Sequence, residues 1–133
     1  MNRTVLGNVG YVRAARGLTD QQVFDLVEDG QLLWVFNFAR KASRQRELRF
    51  WLAEIGDPKQ VAQLGIEDVL ARILPQARNS FGTFDINLLL SLSKITAWRL
   101  ARALGKRDSL DNWRVERRVL ADFLRQRWIG GNQ

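Results

Sequence analysis

The chain has 133 residues, 46% apolar and 26% charged, with a formal net charge of +7 and neither cysteine nor histidine. Their absence excludes disulfide bonds, thiol nucleophiles, Cys/His zinc sites and histidine-based acid–base triads, and the carboxylates form no catalytic pair, so we expect neither enzyme activity nor a cofactor. No run of about 18 apolar residues is present and the first residues do not resemble a signal peptide, so we expect a cytoplasmic protein without a membrane partner.

Residues 1–56 are predicted to form an N-terminal helix–strand–helix unit. Thr19 is a suitable N-cap for the helix "DQQVFDLVED", which Gly30 ends. The apolar residues of this helix are candidates for burial: Val23, Phe24 and Val27. The aromatic and β-branched run Leu32–Phe38 then predicts a strand.

A basic segment, "ARKASRQR" at 39–46, follows the predicted strand. Its cations Arg40, Lys41 and Arg44 are candidates for electrostatic contacts with a nucleic-acid backbone. The next stretch, "ELRFWLAEI" at 47–55, is predicted to be helical. Its apolar residues fall at helical spacing: Leu48, Trp51, Leu52 and Ile55.

Residues 57–83 are predicted to be a helical connector and a linker. Residues 56–58, "GDP", combine a helix stop, a cap and a proline at the first helical position. Pro75 ends a short apolar helix at 66–74. The polar stretch "QARNSFGT" at 76–83 has the composition of a linker.

The segment 85–104, "DINLLLSLSKITAWRLARAL", predicts two short helices joined by a tight turn. Asp85 is a candidate cap for the first helix, Ser91 and Leu92 break the helical period, and Ser93 is a candidate cap for the second helix. One side of the second helix carries a continuous inner stripe: Ala97, Leu100, Ala101 and Leu104. The opposite side presents three cations, Lys94, Arg99 and Arg102, together with Ile95, and is flanked by Thr96 and Trp98.

Such a pair of helices is a helix-turn-helix, whose second helix contacts base edges in the DNA major groove. Lys94 and Arg99 can donate to guanine or to phosphate, and Thr96 can bond a base edge or touch a thymine methyl group. Ser93 and the free N–H groups at the helix start suit a phosphate.

After Gly105 a polar, basic stretch leads into a short predicted strand, "WRV" at 113–115, and a closing helix at 116–128. A helix, a glycine, a strand with a basic loop and a helix therefore occur in both halves of the chain. The residue identities between the halves are poor, so the pattern suggests an internal repeat without establishing it.

The stretch "SLSKITAWRL" resembles the core of excisionase-like and MerR-like winged helix-turn-helix domains. Those domains commonly have a turn, then Ser, Arg or Lys, any residue, Thr, a hydrophobic residue, Tyr or Trp, Arg and Leu. Here that motif is formed by Ser93, Lys94, Ile95, Thr96, Ala97, Trp98, Arg99 and Leu100. "NWRVERRVLADFLRQR" at 112–127 resembles the strand and helix that end such a domain.

The resemblance implies an α+β, mostly helical fold with a winged helix-turn-helix at 84–133, and the N-terminal unit could be a second, degenerate winged unit in tandem. It implies further DNA contacts from the wing region by Lys106, Arg107 and Arg114. Two departures stand out. "GKRDSLDN" at 105–112 contains two aspartates that would repel phosphate, and the helix of the N-terminal unit is acidic.

Residues 86–133 hold ten positive and four negative side chains, a net charge of +6, which favours a polyanionic partner. The predicted function is sequence-specific binding of double-stranded DNA near the nucleoid, as a transcriptional regulator or a recombination directionality factor, with a homodimer or side-by-side assembly on DNA. Three alternatives stay open. They are a basic surface without a partner, a protein-interaction module such as an antiactivator, adaptor or phage inhibitor, and a single-strand or RNA binder whose tryptophans stack on bases.

Overall fold

This computed structural model describes residues 4–39 and 47–130. These residues form eight helices and two three-stranded antiparallel sheets, which confirms the predicted α+β class. In chain order the elements are β1 (Leu6–Gly7), α1 (Val9–Arg16), α2 (Asp20–Glu28), β2 (Val35–Asn37), β3 (Leu48–Trp51), α3 (Leu52–Gly56), α4 (Pro58–Val61), α5 (Ile66–Ile73), β4 (Ser80–Gly82), α6 (Thr83–Leu89), α7 (Lys94–Leu104), β5 (Lys106–Arg107), β6 (Trp113–Glu116) and α8 (Arg117–Arg127). No helix in these ranges is both long enough and apolar enough to cross a membrane.

The elements form two units of the same topology, separated by α4 and α5. The first unit runs from β1 to α3 and the second from β4 to α8. Each is a strand, two helices, two further strands and a helix, and the sheet orders are β1-β3-β2 and β4-β6-β5. In both sheets the last strand along the chain is the central one, so the first strand of each unit pairs with its last strand.

The helix pairs of the two units keep the same spacing along the chain. Helix α6 begins 74 residues after α1 (Thr83 against Val9), and α7 begins 74 residues after α2 (Lys94 against Asp20). The recurrence suggested by the sequence is therefore present in the element order. It also includes β1 and α1, which the sequence patterns did not predict.

Both units contribute to one main core. Residues of the first sheet are buried together with residues of α5, α6, α7 and α8, among them Leu6, Phe36 and Trp51 from the first unit and Ile86 and Leu124 from the second. A smaller second core lies within the first unit, around Val12, Val23, Val35, Leu48 and Phe50.

The two units are also joined by Trp128, which follows α8. Its ring stacks on Trp34 with the ring centroids 5.1 Å apart, and its Nε1 donates to the Leu33 carbonyl at 2.8 Å. A single β-bridge connects Trp128 to Phe36. The closing helix of the second unit is thereby fastened to the sheet of the first.

The helix predicted for residues 47–55 is wrong over its first half. Leu48–Trp51 is a strand, β3, and the helix begins at Leu52. Apolar residues at 48, 51, 52 and 55 fit a helical period, but Leu48 and Phe50 also alternate, as a half-buried strand requires. Pairing with strands on both sides decides the outcome, because tertiary packing overrides a local pattern this short.

The linker predicted at 76–83 is also shorter than expected. Ser80–Gly82 forms β4, which pairs with β6, and Phe81 is fully buried. The second unit therefore begins four residues before position 84. The helix at 66–74 and its end before Pro75 are as predicted, and so are the helix end at Gly56 and the new helix start at Pro58.

Glu54 is a buried carboxylate in α3 that joins two parts of the first unit. Its two oxygens accept the backbone N–H groups of Leu33 and Trp34, each at 3.0 Å. Both carboxylate oxygens are therefore satisfied by the segment that leads into β2, which fixes where that strand enters the sheet.

Replacing Glu54 by Gln should lower the free energy of unfolding by about 1–3 kcal/mol, because the carboxamide turns an N–H₂ group towards one of the two backbone N–H donors. Urea unfolding at neutral pH measures this change. Glu47→Gln removes the same charge from an exposed side chain and should change the free energy of unfolding by less than about 0.5 kcal/mol. Equal stability of the two variants would contradict this role of Glu54.

Candidate nucleic-acid interface

The start of α6 is fixed from its third position. Gly82 is the N-cap, and its N–H donates to Oδ2 of Asp85 at 2.9 Å, while Arg78 donates to Oδ1 of the same carboxylate. Asp85 is therefore not the cap that the sequence suggested. It is a buried residue of the first turn that holds the cap backbone and an arginine together.

The turn between α6 and α7 is tight and partly left-handed. Ser91 has φ 52°, a conformation that favours glycine, and the N–H of Leu92 donates to the carbonyl of Asn87 at 3.2 Å. The predicted break in the helical period at Ser91 and Leu92 is confirmed, and Leu92 is buried.

Helix α7 begins as predicted, with Ser93 as its N-cap. The Ser93 hydroxyl accepts the N–H of Thr96 at 3.2 Å. Ala97 and Ala101 are completely buried, and Leu100 and Leu104 pack partly buried against the main core. Small residues at the two innermost positions let α7 lie close to α6, so its other side is turned to solvent.

The outer face of α7, defined by the N-cap and the six exposed residues named next, carries five of the predicted DNA contacts: Ser93, Lys94, Thr96, Arg99 and Arg102. Its members are Ser93, Lys94, Ile95, Thr96, Trp98, Arg99 and Arg102. Ile95 is 65% exposed and Trp98 43%, and the guanidinium of Arg102 lies 5.3 Å from the centre of the Trp98 ring. Within the described residues, no carboxylate is ion-paired with the three cations of this face. Their charge is available to an external anion.

The hairpin β5–β6 follows α7 directly, and Gly105 makes the connection possible. A side chain at Gly105 would place its Cβ 2.3 Å from the carbonyl oxygen of Arg114 and 2.8 Å from that of Ala101. Only glycine permits this close approach of the helix end to β6. As a result the hairpin lies beside α7 at a fixed distance.

The two aspartates of the hairpin have structural partners. Asp108 accepts the N–H groups of Leu110 at 2.9 Å and Asn112 at 3.0 Å, and so closes the hairpin turn. Asp111 pairs with Arg107 at 3.1 Å, and Arg107 also lies over the Trp113 ring. Of the two cations of β5, Lys106 and Arg107, only Arg107 is ion-paired within the hairpin.

Arg114 is placed differently from the other predicted contacts. Its guanidinium donates to the hydroxyl of Ser80 at 2.9 and 3.2 Å and to the Ser80 carbonyl at 3.2 Å. The side chain is half-buried and ties β6 to β4, so we assign it to the fold instead of to the interface. Arg40, Lys41 and Arg44 lie outside the described residues.

A groove of about 820 Å³ separates the start of α6, the outer face of α7 and the hairpin. Three aromatic side chains line it, Phe84, Trp98 and Trp113, and Phe84 is well exposed. Three arginines line the groove: Arg78 and Arg107 are paired with aspartates, and Arg114 donates to Ser80. The sequence pattern did not single out Phe84 as an exposed residue, because one phenylalanine in a helical pattern is usually a core residue.

The first unit presents the opposite charge on its equivalent helix. Thr19 caps α2 as Ser93 caps α7, with its hydroxyl accepting the N–H of Gln22 at 3.2 Å. The buried residues also correspond, since Val23 and Val27 stand 74 positions before Ala97 and Ala101. At the same spacing, three acids stand where α7 has cations: Asp20, Asp25 and Glu28 against Lys94, Arg99 and Arg102.

Comparison of the chain with known protein families, with curated proteins and with solved structures finds no match.

Ser93→Ala should destabilise the protein by about 1 kcal/mol, because the N–H of Thr96 loses its acceptor at the exposed end of α7. Ser93→Asn keeps an acceptor at the cap and should stay within about 0.5 kcal/mol of the wild type. Denaturant unfolding of the two variants checks this expectation. If alanine and asparagine are equally well tolerated, the cap contributes nothing and the start of α7 is held by other contacts.

Proposed function

We propose that the protein binds double-stranded DNA in a sequence-specific manner, with α6 and α7 as a helix-turn-helix and the hairpin β5–β6 as its wing. The observation that carries the proposal is the outer face of α7, where Lys94, Arg99 and Arg102 are exposed and unpaired by any described carboxylate. Exposed cations at the start of a helix that packs closely on the core suit contacts with base edges in the major groove.

The dimensions of this face fit a major groove. Lys94 and Arg102 are eight residues apart, a rise of about 12 Å along the helix, which is close to the width of the groove. Lys94, at the start, and Arg99, one and a half turns further along, can donate to guanine O6 and N7 or to phosphate. The N-terminal N–H groups of α7 and the Ser93 hydroxyl suit a phosphate beside them.

The sheet topology supports the winged arrangement. A strand before the two helices pairs with the second strand of a hairpin that follows them, in the order β4-β6-β5. Gly105 holds this hairpin against the end of α7. The exposed Lys106 is then the hairpin residue best suited to a phosphate contact, while Arg107 is partly neutralised by Asp111.

One such helix contacts only a few base pairs, so specific binding calls for a homodimer or for side-by-side copies along the DNA. The first unit does not supply a second DNA-binding helix, because the exposed face of α2 is acidic. The biological roles that fit are a transcriptional regulator and a recombination directionality factor of a mobile element.

A second function, a protein-interaction module, is favoured by one observation. Ile95 and Trp98 are large apolar side chains exposed in the middle of the outer face of α7. An aromatic residue ringed by charge is typical of a protein–protein hot spot. A single-strand or RNA binder has less support, because Trp34 and Trp51 are buried and Trp113 and Trp128 pack against the main core, as expected for core tryptophans.

Arg99→Ala should reduce the preference for a target duplex, selected from random sequences, over a random duplex by about 1–3 kcal/mol, because a bidentate base contact is lost. Arg72→Ala removes the same charge from an exposed position of α5 and is the matched control. Fluorescence anisotropy at two salt concentrations gives both affinities. If Arg99→Ala and Arg72→Ala have the same effect, α7 is not the base-contacting helix.

Trp98→Ala separates the three functions when its affinities for duplex and for single-stranded nucleic acid are measured at several salt concentrations and compared with those of the wild type. For a duplex binder, affinity should fall steeply with salt, and the loss of Trp98 should weaken duplex binding without creating a preference for the single strand. An RNA or single-strand binder would prefer the unpaired strand and would lose about 1–3 kcal/mol with this substitution. Weak, sequence-independent DNA binding that Arg99→Ala leaves unchanged would instead support the interaction module.

A further inference from the structure

Arg49 of the first unit reaches the end of α6 in the second unit. Its Nε donates to the carbonyl oxygens of Leu90 at 3.2 Å and Ser91 at 3.1 Å, and its Nη2 donates to Ser91 at 3.0 Å. Its Nη1 donates to the carbonyl of Leu48 in its own strand at 3.0 Å. One guanidinium therefore joins β3 to the turn that precedes α7.

One carbonyl that Arg49 contacts, that of Leu90, belongs to the C-cap of α6, and the other, that of Ser91, follows it directly. The last carbonyl groups of α6 have no N–H donors within the helix, and a positive charge at this end also interacts favourably with the helix dipole. Arg49 is half-buried, and its burial lowers the pKa of the guanidinium, an effect that the charge of Glu47 opposes. An arginine is kept in this unfavourable setting by the bonds that it makes.

Two further bonds hold the same turn from the first unit. The Ser91 hydroxyl donates to the carbonyl of Leu6 at 2.6 Å, and the N–H of Val5 donates to the carbonyl of Leu89 at 3.2 Å. Together with Arg49 they fix a residue, Ser91, whose φ of 52° is unfavourable for a side chain other than glycine.

Among the described residues, the equivalent turn of the first unit has no such bonds from the other unit. Gly17 stands 74 positions before Ser91, with φ 64°, and a Cβ there would have no neighbour within 4 Å. That turn is exposed and uses glycine to adopt the left-handed conformation. We call the bonds from Arg49, Leu6 and Val5 to the α6–α7 turn the clamp. In the ranges that the structure describes, the clamp is found only at the turn that leads into the cationic helix α7.

We propose that Arg49 is a positioning residue for the outer face of α7, and that the first unit serves to fix the α6–α7 turn. The inference rests on the proposed function and deepens it. Lys94 follows Ser91 by three residues, so a change at the turn is passed directly to the first turn of α7. Because base contacts are directional, a small rotation of that turn removes specific contacts and spares non-specific attraction to phosphate.

Arg49→Met tests the proposal, with Arg127→Met as its matched control. Arg127 also joins the two units, donating from α8 to the carbonyl of Ala39 at 2.6 Å, and its replacement also removes one positive charge. The first measurement is hydrogen exchange of the Leu92 amide, which is bonded across the turn to Asn87. Exchange should become at least about tenfold faster in Arg49→Met and should not change in Arg127→Met.

The second measurement is the ratio of affinities for a selected and a random duplex. Arg49→Met should lower this ratio about tenfold with an unchanged slope of affinity against salt, because phosphate contacts remain. Arg49→Lys, which keeps the charge but cannot bond both carbonyls in the same way, should lie between wild type and methionine. This variant also serves where the methionine variant is too unstable to measure.

The outcomes are distinguishable. If hydrogen exchange of the Leu92 amide is unchanged in Arg49→Met, the clamp is overturned, whatever the ratio of duplex affinities is. If the wild type and Arg49→Met discriminate equally well between the selected and the random duplex, only the positioning role is overturned. A loss of affinity that is equal for both duplexes, with a shallower salt slope, would make Arg49 a simple phosphate contact. A wild-type chain that binds no duplex overturns the proposed function and the positioning role together.

Discussion

The packing of the first sheet against the helices of the second unit is the constraint on which the rest of the structure depends. Phe36 and Trp51 from the first unit lie in the same core as Ile86 and Leu124 from the second. Each unit has only about 50 residues, a size at which one core alone gives marginal stability. Sharing a core therefore stabilises both units, and it sets the orientation of α7 relative to the first sheet.

Within this shared frame, the two units differ mainly on their surfaces. The N-caps Thr19 and Ser93 occupy matching positions, and so do the buried valines of α2 and the buried alanines of α7. These residues determine where each helix starts and how it packs. The exposed positions make few contacts within the fold, so they tolerate a reversal of charge at little cost in stability. The result is an acidic exposed surface on α2 and a cationic one on α7.

Local chemistry was predictable from the sequence, and long-range pairing was not. The Ser93 cap, the break at Ser91 and Leu92, and the buried alanines of α7 follow from residue types a few positions apart. Strand β4 and one side of β3 depend on partners more than 30 residues away, which no local period encodes. Arg49 was missed for the same reason, because its bonds to the α6–α7 turn span about forty residues and its neighbours suggested a helix.

The two aspartates of the hairpin, Asp108 and Asp111, both have partners within the hairpin itself. In the sequence they count as charges that oppose a phosphate, but Asp108 closes the turn through two backbone N–H groups and Asp111 pairs with Arg107. Their effect is to remove net charge from the hairpin, which leaves Lys106 as its exposed cation without an ion pair among the described residues. A hairpin of low net charge adds little non-specific attraction to DNA. Under the proposed function, discrimination between sequences then depends mainly on the geometry of α7, and so on the turn that sets it.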